Sequence, residues 1–458
     1  MKKFFEKKRG ILALVVTGAL LNTAAVQAGE WSTEVDLDYR YFRKAPAQAV
    51  GTTTVTSTQQ AVADFYAFLL SVGIPVSDFV TVPQAILAVS AVQAGGSGSQ
   101  GNNEPSVVIQ PTYFNAWADN TNTFTFKPFF RWDNMDDART HADIREMVWV
   151  SKHGTEAKPW DLRVGIDKVF WGTTESQHLV DVVNQTDEVE NINRESKLGQ
   201  PMVRATISRA WGTLDAFVLP WFRERTFSGV DGRLRPLVSL ATLPVTYQSG
   251  DRANHVDYAL RWSKSFDAVD VGISQFVGTN RDPRVASSSK YYTASNPAGL
   301  YLSYDQMAQT SVDVTAVSGN WIYKLEALHR DTNYDHYWAG VTGFEYAFNG
   351  VFHTHYDVNA FLEYNYDSRG QGQAVYQSDV FVGALLNFND AKSTQLKIGT
   401  LVDTNDSTRS TRVQFSRRLN NQWSARFEGQ WFNSVDSGNP LYAYREDSYI
   451  QSSLIKYF

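Results

Sequence analysis

The sequence contains no cysteine. That excludes disulfides, thiolate metal centres and a lipid anchor carried on a cysteine. Beyond one short stretch near its start, it also lacks any apolar run long enough for a transmembrane helix, which needs about 20 residues. Excess positive charge is missing too: 42 Lys and Arg stand against 48 Asp and Glu, a formal charge of −6. A nucleic-acid partner is therefore not expected. Aromatics are abundant, with 13 Trp, 22 Tyr and 27 Phe making up 14% of the residues. Mean hydropathy is nonetheless only −0.33, so the apolar residues are dispersed among polar ones.

The one apolar stretch, Ile11 to Leu21, follows Lys2, Lys3, Lys7, Lys8 and Arg9 and precedes Val26-Gln27-Ala28. A basic segment, a short apolar segment and small residues in this order form a secretory signal, with cleavage expected after Ala28. Removing residues 1–28 takes away five basic residues and Glu6, leaving −10 on residues 29–458.

Residues 29–458 read as one all-β domain. Many segments alternate with period two, as strands with two unlike faces do. In 122–132, Phe124, Phe126, Phe130 and Trp132 alternate with Thr123, Thr125, Lys127 and Arg131. In 160–170, Trp160, Leu162, Val164 and Ile166 alternate with Asp161, Arg163, Gly165 and Asp167. The segments 253–265 and 422–433 repeat the pattern. About 18 strands follow, with 16 as the neighbouring even count.

The connections sort by parity. Those after even strands are short: Asp119–Thr121, Lys152–Pro159, Trp211-Gly212, Phe266-Asp267, Ser318-Gly319, Asn349–His353, Asn389–Ala391 and Leu419–Asn421. The long ones, 44–105, 171–200, 225–252, 279–307 and 434–447, all follow odd strands. A soluble sandwich has no reason to sort its loops in this way. An up-and-down antiparallel transmembrane barrel, with short periplasmic turns and long outer loops, does. The first insertion, 44–105, carries an apolar stretch at 61–92 broken by Gly73-Ile-Pro75 and Pro83, which fits a pair of short amphipathic helices. It could plug the lumen, cover its mouth or meet a partner.

The last strand ends Asp447-Ser-Tyr-Ile-Gln-Ser-Ser-Leu-Ile-Lys-Tyr-Phe458. It resembles the closing strand of bacterial outer-membrane β-barrels, with Lys456 where the family pattern has an aromatic. The resemblance makes Phe458 a signal for the barrel-assembly machinery and places the chain in the outer membrane, among lipid. With Val169-Phe-Trp-Gly-Thr-Thr-Glu175 and Val277-Gly-Thr-Asn-Arg-Asp-Pro283, the chain is similar to porin and alginate-export channels. This implies a passive channel for small polar solutes or oligosaccharides, without cofactor or catalysis. A plugged binding or adhesion barrel, or a channel for hydrophobic compounds, is the alternative. A homo-oligomer stays open.

Candidate pore-lining residues are Lys127, Arg131, Arg163, Arg204, Arg261, Asp257, Arg426 and Glu428, all on polar strand faces. The acidic loop 171–200 supplies a candidate constriction through Glu175, His178, Asp181, Asp187 and Glu188. By analogy with porin loops that fold inward, Glu175, Asp181, Asp187 or Glu188 should face Arg131, Arg163, Arg204 or Arg261. Ser176, His178 and Asp181 have the residue types of a hydrolase, but such sets are defined in space rather than along the chain. His353 and His355 share a presumed strand face near His336, yet no third ligand supports a metal, and none is expected.

Overall fold

A computed structural model describes residues 29–46 and 100–458, apart from 237, 294, 295 and 297. The signal at 1–28 and the apolar stretch at 61–92 lie outside the described residues. Eighteen strands form one closed antiparallel sheet. In chain order they are β1 (Glu30–Phe42), β2 (Asn103–Trp117), β3 (Asn122–Asp133), β4 (His141–Thr155), β5 (Lys158–Asp167), β6 (Gln200–Arg209) and β7 (Gly212–Leu219). After β8 (Val245–Tyr247), a short strand outside the barrel, come β9 (Asp257–Phe266) and β10 (Val269–Thr279). Two further short strands, β11 (Arg284–Ser287) and β12 (Leu300–Tyr304), precede β13 (Gln306–Ser318), β14 (Trp321–Thr332), β15 (His336–Val351) and β16 (Tyr356–Asp367). The wall ends with β17 (Ser378–Asn387), β18 (Gln395–Asp403), β19 (Arg409–Arg418), β20 (Trp423–Asn433) and β21 (Tyr449–Tyr457). Each wall strand pairs with the next, and β1 pairs with both β2 and β21, from Glu34 opposite Tyr457 to Phe42 opposite Tyr449. The 18-stranded wall therefore has no open strand edge.

The sorting of connections by parity holds throughout this wall. So does the inversion of burial expected in lipid. Along β1, Leu37, Tyr39 and Tyr41 point outward and are exposed, while Asp38, Arg40 and Phe42 are buried inside. Along β9, Tyr258 and Leu260 are outside, and Asp257 and Ala259 are inside. Two belts of exposed aromatics ring the exterior. Trp117, Trp160, Trp211, Phe266 and Trp321 lie at the short-turn rim, and Tyr41, Trp221, Tyr334, Trp338 and Tyr366 at the other. Amphipathic rings gather where hydrocarbon meets headgroups. Lys456, the departure from the terminal pattern, lays its ammonium over Trp423 and Phe458 at 4.8 and 5.1 Å from the ring centroids. A long side chain can thus reach the interface while its stem lies on apolar surface.

Three expectations change. The strand set at 213–224 stops at Leu219, because Pro220 has no N–H to continue the ladder, and its partner begins at Asp257 rather than at 253. The loop between them therefore spans 220–256. Within it and the next long loop, β8, β11 and β12 form a separate three-stranded sheet, which the sequence did not disclose. His353 and His355 do not share a strand face: both sit in the turn after β15, where Phe352 and His353 have left-handed backbone (φ 56° and 58°). His336 opens that same 16-residue strand, so at about 3.3 Å per residue the histidines stand roughly 50 Å apart.

Unheated in detergent, the refolded chain should migrate on a denaturing gel apart from its boiled form. Co-migration of the two, with the chain recovered in the soluble periplasm, would remove the membrane assignment.

Candidate functional site

Residues 168–199, between β5 and β6, fold into the barrel. One face of this loop is apolar, and Val169, Trp171, Val180, Val182 and Val183 are buried with it. They pack on Met202, Phe217, Leu219, Ala259, Phe276 and Met307, inward side chains of β6, β7, β9, β10 and β13. Burying each such side chain stabilises by about 1.5–3 kcal/mol, so the loop is fixed to this side of the wall by ordinary core packing.

Its tip runs on around the wall to β14 and β16. Glu326 on β14 is fully buried and accepts from four loop donors. These are Thr173 N–H (2.7 Å), Thr174 N–H (3.0 Å) and Thr174 Oγ1 (2.8 Å) at one oxygen, and Val180 N–H (3.2 Å) at the other. Glu363 on β16 accepts from Glu175 N–H and Ser176 N–H, both at 2.8 Å, and from Ser176 Oγ at 2.7 Å. Gly172 precedes these donors with φ +133°, and a Cβ there would stand 2.9 Å from the Glu326 carboxylate. The Trp-Gly-Thr-Thr-Glu element is thus the stretch that docks on two wall carboxylates. Its glycine provides both the backbone angle and the close approach.

Glu175 then lies between two ammoniums, 2.8 Å from Lys324 Nζ and 2.7 Å from Lys397 Nζ. Burial works against its charge, yet the two lysines outweigh that and hold its pKa below the usual carboxylate value.

The second half of the loop is a hairpin, held where Leu198 N–H donates to Gln185 O and Asp187 N–H to Ser196 O. It is bonded to the wall on two sides. Towards β3 and β4, Glu190 takes a forked contact from Arg131 (2.7–3.0 Å), and the fully buried Asp187 accepts from Arg145 and Thr226. Towards β19–β21, Arg412 Nη1 donates to Glu195 at 2.7 Å, while Glu428 accepts from Asn191 (3.1 Å), Arg412 (2.6 Å) and the Tyr449 hydroxyl. Arg145 owes its place to a bulge. Lys127 pairs with Glu146 and Pro128 with Ile144, so one residue is left over, and such a bulge re-aims its side chain. Contacts on both sides mean that the loop crosses the lumen.

The structure brings the candidate loop acids to partners other than those expected. Glu175 meets Lys324 and Lys397, Glu188 lies 3.4 Å from Arg225, and Asp181 pairs with Lys197 of its own loop at 3.1 Å. Of the four expected arginines, Arg131 alone among the described contacts meets this loop through an acid, and that acid is Glu190. The others are neutralised nearer home: Arg163 by Asp167 (3.3 Å), Arg204 by Asp215 (2.7 Å) and Arg261 by Asp313 (2.6 Å). Arg261 also lies over the Trp171 ring, 5.3 Å from its centroid.

Lys127 stands opposite Glu146 in the ladder, and Arg426 is 3.7 Å from Glu34. Asp257 pairs with Arg281 at 2.8 Å. His178 sets its ring edge-on against Phe170, with Nδ1 4.0 Å from Glu326. Ser176, His178 and Asp181 thus have separate partners. Phe458 N–H donates to Thr33 O at 3.0 Å.

The Val277–Pro283 segment also acquires a role. Arg281 is buried, bonded to Asp257 and to the carbonyls of Val182 and Val183. Asp282 next to it accepts from Arg225 (2.5 Å) and Arg330 (2.9 Å). Burial opposes the Asp282 charge, but Arg225, Arg194 and Arg330 hold its pKa well below the ordinary value.

The wall is a closed 18-stranded antiparallel barrel, apolar outside and charged within, with a loop across its lumen; this is the architecture of a membrane-spanning β-barrel. No family model and no curated protein matches the chain. Among solved structures, a multiply substituted Rh. blastica porin is similar at 10% identity, covering 94% of this chain and 100% of that one, with a TM-score of 0.40. Pseudomonas aeruginosa OpdO is similar at 8% identity, covering 94% and 97%, with a TM-score of 0.43.

Glu326→Ala would leave four loop donors without their acceptor. A buried unpaired donor costs about 1–3 kcal/mol, so amide hydrogen exchange across 173–180 should accelerate by several powers of ten. Unchanged exchange would show that apolar packing alone holds the tip.

Proposed function

We propose that the barrel is a passive channel for small polar solutes, and that residues 172–198 form its constriction. The observation that carries this reading is the placement of Glu175, bridged between Lys324 on β14 and Lys397 on β18, the latter across the barrel from the loop's root between β5 and β6. Fixed charges of both signs in a narrowed, wet lumen orient and sort polar solutes. The space at the short-turn end agrees with a polar cargo. A recess of about 480 Å³ there is lined by Arg209, Arg261, Lys264, Asp270 and Asp313 together with the hydroxyls of Thr213, Ser263 and Ser265. No aromatic lines it. Sugar-like or other hydroxylated solutes fit such a lining better than hydrophobic compounds do.

Steady single-channel conductance of the refolded protein in a planar bilayer, reduced by added oligosaccharide, is the expected result. A folded barrel with no conductance would remove the channel reading. Glu175→Gln takes one negative charge from between two lysines, so the reversal potential in a salt gradient should move toward anions. An unmoved potential would place Glu175 away from the ion path.

Acid should act through the same carboxylate. Its pKa is lowered in the folded protein, so its contribution is full above the ordinary carboxylate range and is lost as pH falls through the lowered value. Current noise from the loop should therefore rise in that acidic window in the native channel. In Glu175→Gln the dependence should flatten.

A further inference from the structure

His141 opens β4 at its outer end, beside the Gln185–Leu198 hairpin. Its Nδ1 lies 3.0 Å from the carbonyl of Arg139. A carbonyl only accepts, so Nδ1 carries the proton, and when the ring is neutral Nε2 presents a lone pair. That Nε2 is buried and has no hydrogen-bond partner. It faces two carboxylates, with Asp187 Oδ2 and Glu190 Oε1 each at 3.8 Å. One ligand atom from each residue lies within 4.8 Å of the other two. A lone pair aimed at two anionic oxygens is repelled unless a proton or a metal cation stands between them.

We propose that His141, Asp187 and Glu190 form a binding site for a divalent transition-metal ion of the zinc type, which staples the constricting hairpin to the barrel wall. One imidazole with two carboxylates is a donor set such ions accept, whereas calcium and magnesium prefer oxygen alone. The supporting contacts are those of a metal site. The histidine gives its other N–H to a backbone carbonyl, and each carboxylate is steadied from behind. Thr226 bonds the other oxygen of Asp187 and Arg131 Nη2 the other oxygen of Glu190, while Arg145 and Arg131 Nε share the two oxygens that face His141. The imidazole is further held against Phe129, with ring centroids 5.3 Å apart. Metal–ligand bonds of about 2.0–2.2 Å put tetrahedral ligand atoms about 3.3–3.5 Å apart, so the two 3.8 Å separations from His141 close by a few tenths of an ångström, and the two oxygens, within 4.8 Å of each other, by at most about 1.5 Å. Arg131 and Arg145 oppose the ion by repulsion, and a proton on Nε2 competes with it for the same lone pair. Two ligands come from the hairpin and one from the wall, so occupancy adds a further tie between the loop and the barrel. Binding stands without the channel reading; the effect on current rests on it.

The test uses the full refolded barrel in detergent, stripped with a chelator, near neutral pH. Cobalt(II) serves as the spectroscopic probe and zinc as its competitor. One cobalt per chain, with visible absorption of low-coordinate geometry displaced by zinc, is expected. His141→Asn and Glu190→Gln should each weaken it by about tenfold or more. Two variants are used so that a folding defect in one, read from heat-modifiable migration, leaves the other decisive. Zinc should also quiet single-channel noise in the native protein and not in His141→Asn. Absence of saturable cobalt binding, or binding indifferent to both variants, overturns the proposal. Noise that acid quiets and zinc does not would also overturn it, giving the place to a proton. Metal binding with intact stoichiometry but no conductance would instead sink the channel reading and leave the site standing.

Discussion

Glu326 is the residue on which the interior arrangement turns. A fully buried carboxylate in a protein is costly unless its oxygens are occupied. Here four donors from one stretch of loop occupy them, and three of those donors are backbone amides or a hydroxyl within two consecutive residues. Neither partner can leave without exposing the other to an unmet hydrogen-bonding need. The geometry of the constriction follows from this contact. Glu175 comes next in the chain after Thr174, so docking the amides on Glu326 and Glu363 delivers its carboxylate between Lys324 and Lys397.

The interior uses two kinds of adhesion at the two ends of one loop. At its root the loop is held by apolar packing against β6 to β13, which is indifferent to salt. At the tip and hairpin it is held by charge-assisted hydrogen bonds, individually stronger than neutral ones and dependent on protonation. A loop held this way has a fixed base and a tip that responds to ionic conditions.

Much of the wall was legible in the sequence because a membrane barrel obeys a local rule. Period-two alternation in 122–132 and 422–433 reports two unlike solvents, lipid and water, and each strand reports it independently. The sorting of loop lengths is equally local. The partners of the loop acids were not legible. Which lysine Glu175 meets depends on how far around the wall the loop reaches, and that is set by curvature and packing rather than by spacing along the chain. Arg163, Arg204 and Arg261 looked available from their strand faces, but the acids that engage them stand on the same or nearby strands. Gly172 lay in plain sight within a noticed motif; its purpose needed the position of Glu326, more than a hundred residues away. The bulge that turns Arg145 inward left no mark in the alternation of β3, since the extra residue belongs to β4.

The local pairing of interior charges bears on how such a chain enters a bilayer. Arg204 and Asp215 stand on consecutive strands, as do Lys324 and Glu345, and Arg412 and Glu428. Each of these three hairpins therefore carries a counterion for its own charge. A hairpin added to a growing sheet presents a neutralised pair to hydrocarbon rather than an isolated ion, and the dehydration it must undergo is smaller. The same pairs that line the finished lumen thus lower the barrier to inserting the strands one hairpin at a time, before any lumen exists.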